Sequence, residues 1–345
     1  MNPSNRVVTL LLLSLLLAAC GQQDPDMPSA EPAAEARVVV YTSRQPHLIE
    51  PLFQRYTAAT GVQVDFTSDN EASLIERLAA EGARTSADVF ITVDAGNLWH
   101  AADRGLLQPL DSDVLRQAIP NALRDEDEQW YGLSLRARVI VFHRDRVDPA
   151  ELSTYEDLAD PRWRRRLCLR SSRKVYNQSL VAMMIEHHGE QRTEEIVRGW
   201  VANLATNPYS SDTQTIEAVA AGQCDVAIVN SYYLGRLLAD DPDYPVELFW
   251  ANQDTTGVHV NVSGAGVTRH APRADQGRAL VEWLASDQAQ AEFAERNLEF
   301  PANPAVPARG LVRDWGEFRA DDTPLVVAGQ RQAQAVRLMD RAGYR

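Results

Sequence analysis

The spacing of apolar and polar residues changes repeatedly along the chain after residue 36. Residues 37–43 form an apolar, β-branched run, which predicts a buried strand. The following segment, PHLIEPLFQRYTAATG, carries its apolar residues at helical spacing and ends at Gly61, a common stop signal for a helix. More strand-like and helix-like segments follow, joined by short links. This alternation is typical of an α/β domain in which helices cover a largely parallel sheet.

Two later segments, residues 129–145 and 257–269, are long and extended. We expect them to run between two α/β lobes, so that the chain crosses from one lobe to the other twice. In open α/β sheets, ligands bind outside the carboxyl ends of strands, and a cleft between lobes is the favoured pocket. Polar and aromatic residues follow such strand ends in YTSRQPH (41–47), RSSRKVYNQS (170–179) and NSYY (230–233).

Towards the carboxyl terminus, residues 277–297 and 324–343 have helical apolar spacing, and each predicts one continuous helix. The sequence shows neither internal repeats nor a domain-sized linker after residue 36. Both lobes are therefore expected to be built from separate stretches of the chain. The first lobe is placed at residues 37–138 plus 258–305, and the second at 139–257 plus 306–345.

Composition and charge narrow the classes of partner. The chain has 345 residues, enough for two hydrophobic cores, and 45% of them are hydrophobic. The formal net charge is −14, from 34 basic and 48 acidic residues. Nucleic acids and anionic membranes require a basic face on their protein partner, so neither is an expected ligand. An acidic surface is compatible with a cationic ligand.

The amino terminus has the features of an export signal. One early arginine, Arg6, precedes an apolar stretch that is too short to span a membrane, and small residues precede Cys20. Because Leu17 to Cys20 resemble a bacterial lipobox, we expect residues 1–19 to be a cleaved signal peptide and Cys20 to carry lipid. Residues 20–36 are rich in proline, alanine and acidic residues, which predicts a flexible tether. The alternative is an uncleaved anchor or a free thiol. The expected location is periplasmic, with a lipid anchor in a membrane.

The other two cysteines, Cys168 and Cys224, lie at the starts of two predicted strands. Two strands of one sheet could bring them within disulfide reach, and an exported protein meets an oxidising environment. Our hypothesis is that they are bridged. The alternative is a pair of reduced, buried thiols.

Sequence motifs of hydrolases, nucleotide-binding proteins and zinc proteases are absent, including Gly-x-Ser-x-Gly, the Walker loop and His-Glu-x-x-His. The seven histidines show no zinc-binding spacing. We find no pairing of a nucleophile with a base. A binding protein is therefore expected rather than an enzyme.

The strand ends and the crossing segment instead collect phenol and guanidinium groups. A free phenol has a pKa of about 10 and is neutral at pH 7, so only a highly charged hard cation binds it as phenolate. Ferric iron is the abundant cation of this kind, three phenolates would neutralise it, and an arginine could hold a small anion beside it. Two alternatives stay open, namely tyrosines that stack on an organic ligand and arginines that bind an oxyanion. The candidates are Tyr41, Arg44, Arg136, Arg138, Tyr176, Tyr232 and Tyr233.

The order of several motifs resembles that of the ferric-iron-binding proteins of bacterial ABC importers. The most specific are VYNQSLVA (175–182) and NSYYLGR (230–236), and the resemblance covers residues 37–345. It implies a two-lobed periplasmic-binding-protein fold (type II, or Venus flytrap) with Fe(III) bound in the cleft between the lobes. It also implies delivery of the iron to an inner-membrane ABC permease by a monomeric carrier. The alternative function is a solute-binding protein for an oxyanion or a small organic cation.

The resemblance carries over to particular residues. The tyrosine of the family's Tyr-Asn-Gln-Ser motif matches Tyr176, and its adjacent tyrosine pair matches Tyr232 and Tyr233. An arginine of its Arg-Ala-Arg segment lies near the iron or its anion, which could be carbonate or another small anion. Arg136 is the better match for that arginine, with Arg138 in reserve. Arg44 is a further candidate for contact with the anion or for bracing the cleft loop.

The sequence departs from the family after the first strand. Many members have Ser-Arg-His-Tyr there, and the His and Tyr can bind iron, whereas this chain has Gln45 and Pro46 in their places. Neither side chain supplies an imidazole or a phenolate. His47, one residue further on, Gln45 and Tyr41 are therefore only possible additional ligands or neighbours of the ligands. The first lobe is expected to contribute little to the iron.

Overall fold

The computed structural model describes residues 36–345. The predicted signal peptide, Cys20 and the predicted tether up to residue 35 lie outside the described residues. The strands are β1 Arg37–Thr42, β2 Gln63–Ser68, β3 Val89–Val93, β4 Leu107–Gln108, β5 Tyr131–His143, β6 Leu167–Cys168, β7 Val226–Asn230, β8 Val246–Phe249, β9 Val260–Thr268 and β10 Phe300–Pro301. The helices are α1 Pro46–Thr60, α2 Glu71–Glu81, α3 Ala95–Asp103, α4 Asp113–Ala118, α5 Val175–His188, α6 Glu190–Asn203, α7 Asp212–Ala220, α8 Ser231–Asp240, α9 Ala274–Leu284, α10 Asp287–Asn297, α11 Gly310–Asp314, α12 Val326–Gln330 and α13 Gln332–Arg341.

The sheet is mixed, with the strand order β2-β1-β3-β9-β5-β7-β6. β1 is parallel to both β2 and β3, and β6 is parallel to β7, as the alternating pattern predicts. The expectation of a largely parallel sheet is wrong for the centre. There β9 is antiparallel to β3 and β5, and β5 is antiparallel to β7, because the two crossing segments enter the sheet in opposite directions.

The long strand β5 connects two hydrophobic cores. Its first half, from Tyr131 to Ala137, pairs with β9, and its second half, from Arg138, pairs with β7 and β8. The first core contains Val38, Ile49, Leu74, Leu98 and Leu280, among others. The second core contains Ile140, Val181, Trp200, Ile216 and Ile228, among others. Leu325 and Val326, near the carboxyl terminus, pack in the first core. The lobe boundaries given above stay a prediction.

Both predicted long carboxyl-terminal helices are broken in the structure. α9 ends at Leu284, and Ser286 starts α10 by accepting a hydrogen bond on its side chain from the Ala289 amide. The second break falls at Arg331, between α12 and α13. α12 packs tightly against α3, since a Cβ on Gly329 would come within 2.6 Å of Trp99. α12 also contacts α5, whereas α13 packs on both α5 and α6. Tertiary packing therefore decides a boundary that the apolar spacing does not show.

Cys168 and Cys224 form a disulfide, with their Cα atoms 5.8 Å apart and 56 residues apart in sequence. Cys168 ends β6, and Cys224 precedes β7, the strand that leads to the adjacent tyrosines. Closing a loop of this length stabilises a fold by roughly 4 kcal/mol in the chain-entropy treatment. The disulfide therefore stabilises the β6–β7 edge of the sheet, next to the elements that carry the candidate ligands.

Within residues 36–345, no helix is both long and apolar enough to cross a membrane. The same residues contain no cluster of three or more His, Cys, Asp or Glu side chains arranged to hold a metal ion.

Candidate metal centre

A pocket of about 220 Å³ lies where elements of the two cores meet. The loop after β1, the end of β3 and strand β5 contribute to it, as do the start of α5 and the start of α8. The lining residues are Ser43, Arg44, Gln45, Leu48, Glu71, Val93, Arg136, Arg170, Lys174, Tyr176, Tyr232, Tyr233, Arg236 and Glu299. All three tyrosines of the predicted ligand set are therefore in one pocket.

Tyr232 and Tyr233 occupy the first turn of α8. β7 ends at Asn230, and the chain turns into the helix at Ser231, so the two phenols leave a buried strand together. Neighbouring residues point to opposite faces of a strand, but on a helix they are only about 100° apart. Their ring centroids are 4.3 Å apart. The change from strand to helix is what lets two adjacent side chains face one pocket.

Tyr176 reaches the same pocket from the start of α5, where it is the second helical residue. The Tyr232 hydroxyl donates a weak hydrogen bond to the Tyr176 oxygen across 3.4 Å. The two side chains are only 5% and 7% exposed, respectively. Two phenol oxygens therefore lie side by side in a largely dry environment.

Burial strongly favours the neutral form of these two phenols. It raises the pKa of Tyr232 well above 10, and the neighbouring Tyr176 and Tyr233 raise it further. Burial also raises the pKa of Tyr176, although the Arg136 guanidinium works in the opposite direction. Both hydroxyls are therefore protonated at neutral pH unless a strongly charged cation replaces their protons.

Cationic side chains surround the phenols. The Arg136 guanidinium lies 5.6 Å from the Tyr176 ring centroid, and Arg170 lies at the same distance. The Lys174 ammonium is 4.7 Å from that ring, and the Arg236 guanidinium is 5.0 Å from the Tyr232 ring. Burial would lower the pKa of Arg136, but Tyr176 and Glu299 outweigh it, so Arg136 stays charged.

Four charged lining residues were not among the predicted site residues, namely Arg170, Lys174, Arg236 and Glu299. Arg170 and Lys174 lie within the quoted RSSRKVYNQS segment, and Arg236 follows the tyrosine pair by one helical turn. On a helix, the spacing of three and four residues puts Arg236 on the same face as the tyrosine pair, and this signal could have identified it. Nothing in the local sequence of Glu299 reveals its role.

The first-lobe side of the pocket is an ion pair rather than a set of metal ligands. The Arg44 guanidinium contacts the Glu299 carboxylate at 3.2 Å and also donates to the Ser263 hydroxyl. Ser134 donates to Glu299 at 2.6 Å. Burial would raise the pKa of Glu299, but Arg44 and Arg136 lower it, so the carboxylate stays ionised. Arg44 therefore braces this wall of the pocket.

Three other predicted candidates do not line the pocket. The Tyr41 hydroxyl donates to the Glu81 carboxylate at 3.0 Å, outside the pocket. His47 is exposed on the first turn of α1 and does not line the pocket. The Arg138 guanidinium is buried against Asp212 at 2.9 Å and lies 6.0 Å from the Tyr176 ring centroid. Gln45 does line the pocket.

Comparison with known proteins places this arrangement in a family. The family model described as bacterial extracellular solute-binding protein matches residues 84–313. Iron uptake protein A1 of Synechocystis is 41% identical over 344 residues, covering 98% of this chain and 95% of that protein. A solved structure of Trichodesmium IdiA (FutA), in complex with iron and citrate ligands, is 42% identical with a TM-score of 0.86, covering 90% of this chain and 100% of that one. Mannheimia haemolytica ferric iron-binding protein A, in an open conformation, is 34% identical with a TM-score of 0.82, covering 90% and 99%.

The pocket between two α/β lobes is that of a solute-binding transport protein, not that of an enzyme. The chain belongs to the bacterial extracellular solute-binding protein family. The expected two-lobed periplasmic-binding-protein fold is confirmed by these structural relatives. Membership also places the protein outside the cytoplasm, in the periplasm.

Proposed function

We propose that this protein binds Fe(III) in the pocket between its lobes and delivers it to an ABC permease for iron uptake. The observation that carries this proposal is the meeting of Tyr176, Tyr232 and Tyr233 in one pocket. The phenolates of these residues would be the protein ligands of the iron. Relatives named for iron uptake and ferric iron binding support the choice of cargo.

The charge of the pocket fits a trivalent cation bound together with an anion. With neutral phenols, the five arginine and lysine side chains and two glutamates of the lining leave a formal charge of +3. Three phenolates would cancel this charge, and Fe(III) would restore it. An anion beside the iron then lowers the Coulomb energy of the loaded pocket. Arg136 is the proposed contact for that anion, with Arg44 as the brace behind it.

The class of anion follows from the remaining coordination positions. Carbonate would occupy two of them with one small planar group, and a polycarboxylate such as citrate would neutralise more of the surrounding charge. The Trichodesmium relative is described with iron and citrate ligands. We therefore propose a carboxylate-type anion as well as iron in the loaded pocket.

The lipid on Cys20 would retain the monomeric carrier at a membrane surface.

Colour is the first test of this proposal. Adding ferric citrate to the purified protein should produce a visible absorption band, because tyrosinate ligands transfer charge to Fe(III). Replacing Tyr209 with Phe is the matched control, since that phenol donates to Gln223 at 2.7 Å outside the pocket. The control should keep the band at full intensity.

Binding without a visible band would contradict the proposal. It would instead favour a carrier of an oxyanion or a small organic cation. In that case affinity for the solute would depend on Arg44 and Arg136 and would survive replacement of the three tyrosines by Phe.

A further inference from the structure

A buried carboxylate connects the first core to the helix that carries Tyr176. Asp94 follows β3 and is fully buried, with a positive backbone φ of 77° that non-glycine residues adopt only under constraint. One of its carboxylate oxygens caps α3 by accepting from the Gly96 amide at 2.9 Å. The Asn261 side chain, on β9, donates to the other oxygen at 2.9 Å. Asp94 is thus fixed to two elements of the first lobe.

The remaining hydrogen bonds of the Asp94 carboxylate reach the second lobe. The Ser179 hydroxyl contacts both carboxylate oxygens, at 2.8 and 2.9 Å, and Ser179 is also fully buried. Ser179 lies on α5, three residues after Tyr176. Residues three apart on a helix share a face, so this contact restrains the same turn of α5 that presents the phenol.

A buried carboxylate is expensive unless it is fully hydrogen-bonded, so its presence at this junction requires a reason. The cap of α3 alone would be served by serine or asparagine. Asp94 differs from those residues in offering two equivalent charged acceptors, and Ser179 uses both. Hydrogen bonds to charged groups are the stronger ones and hold their geometry more tightly.

We propose that Asp94 and Ser179 are positioning residues for iron binding, which hold Tyr176 at the pocket from the first lobe. This inference rests on the proposed function. The other two phenols lie on α8, which has no contact with Asp94 among the hydrogen bonds of residues 36–345. The Ser179 hydroxyl therefore acts on one ligand of three, and its loss should affect iron only through Tyr176.

Ser179→Ala is the variant of choice, because alanine favours the helix while removing the hydroxyl. We expect it to weaken Fe(III) binding about tenfold, the usual scale for a hydrogen bond to a charged group. The visible band should shift towards that of Tyr176→Phe. In a Tyr176→Phe background, Ser179→Ala should have no further effect, whereas in a Tyr233→Phe background the full tenfold loss should persist.

Thr193→Ala is the matched control, since Thr193 is a buried helix hydroxyl of the second lobe that donates to the Gly189 carbonyl at 2.9 Å. That control should leave affinity and band unchanged. Equal losses in the parent and Tyr176→Phe backgrounds would show a general effect on folding or closure and would overturn the inference. Unchanged affinity in Ser179→Ala would also overturn it. Absence of a band in the parent would overturn the proposed function instead.

Discussion

Replacing Tyr232 and Tyr233 together with Phe is expected to weaken Fe(III) binding by at least about 10⁴-fold, taking about 100-fold per lost ligand as a lower bound from changes beside metal ligands. Phenylalanine keeps the two rings packed at the start of α8 but removes both oxygen donors. The surrounding cationic side chains would then repel the metal ion, with one phenolate, Tyr176, left in place of three beside the two glutamates.

Competition against citrate measures this loss, with the visible band as a second readout. The single Phe variants should each fall between the parent and the double variant. Tyr209→Phe, outside the pocket, should match the parent. Retention of parental affinity by the double variant would remove both residues from the ligand set.

Iron affinity is also expected to rise steeply with pH. Burial raises the pKa of Tyr176 and Tyr232 above the usual value of 10, so at neutral pH the iron-free protein holds both protons. Binding as phenolate must release them. Each released proton makes affinity about tenfold greater per pH unit, so two protons give about 100-fold per pH unit below those pKa values. Acidification therefore favours release of iron.

Proton release can be counted directly with an indicator dye in weakly buffered solution as Fe(III) is added. At least two protons per iron should appear after subtraction of a protein-free blank. Tyr232→Phe should release one fewer. Release of less than one proton per bound iron would mean that the phenols do not ionise and that the metal is held by other groups.

The sequence predicted that the three candidate tyrosines share one pocket, but it did not predict most of the charged side chains around them. Tyr176, Tyr232 and Tyr233 lie at element ends in specific motifs, and such positions follow from the order of strands and helices. Arg170 and Arg236 escaped notice because their approach to the rings depends on how α5 and α8 present Tyr176 and Tyr233, which the order of motifs does not show.

Long-range contacts were out of reach for the sequence. Tyr41 was a candidate because it ends a strand, yet its partner Glu81 is 40 residues away. Arg138 sits two residues from Arg136 on β5 and shares its face of the strand, but its guanidinium pairs with Asp212, 74 residues further along the chain. Asp94 caps α3 beside its own strand, but its contact with Ser179 spans 85 residues. These pairings depend on how the two lobes meet.

A crystal structure of the iron-loaded protein, with diffraction recorded at the iron absorption edge, tests the central claim most directly. The account predicts one anomalous peak in the pocket, bonded to the phenol oxygens of Tyr176, Tyr232 and Tyr233, with an anion between the iron and Arg136. A peak elsewhere, or an iron held by carboxylates or by His47 in place of these phenols, would contradict it.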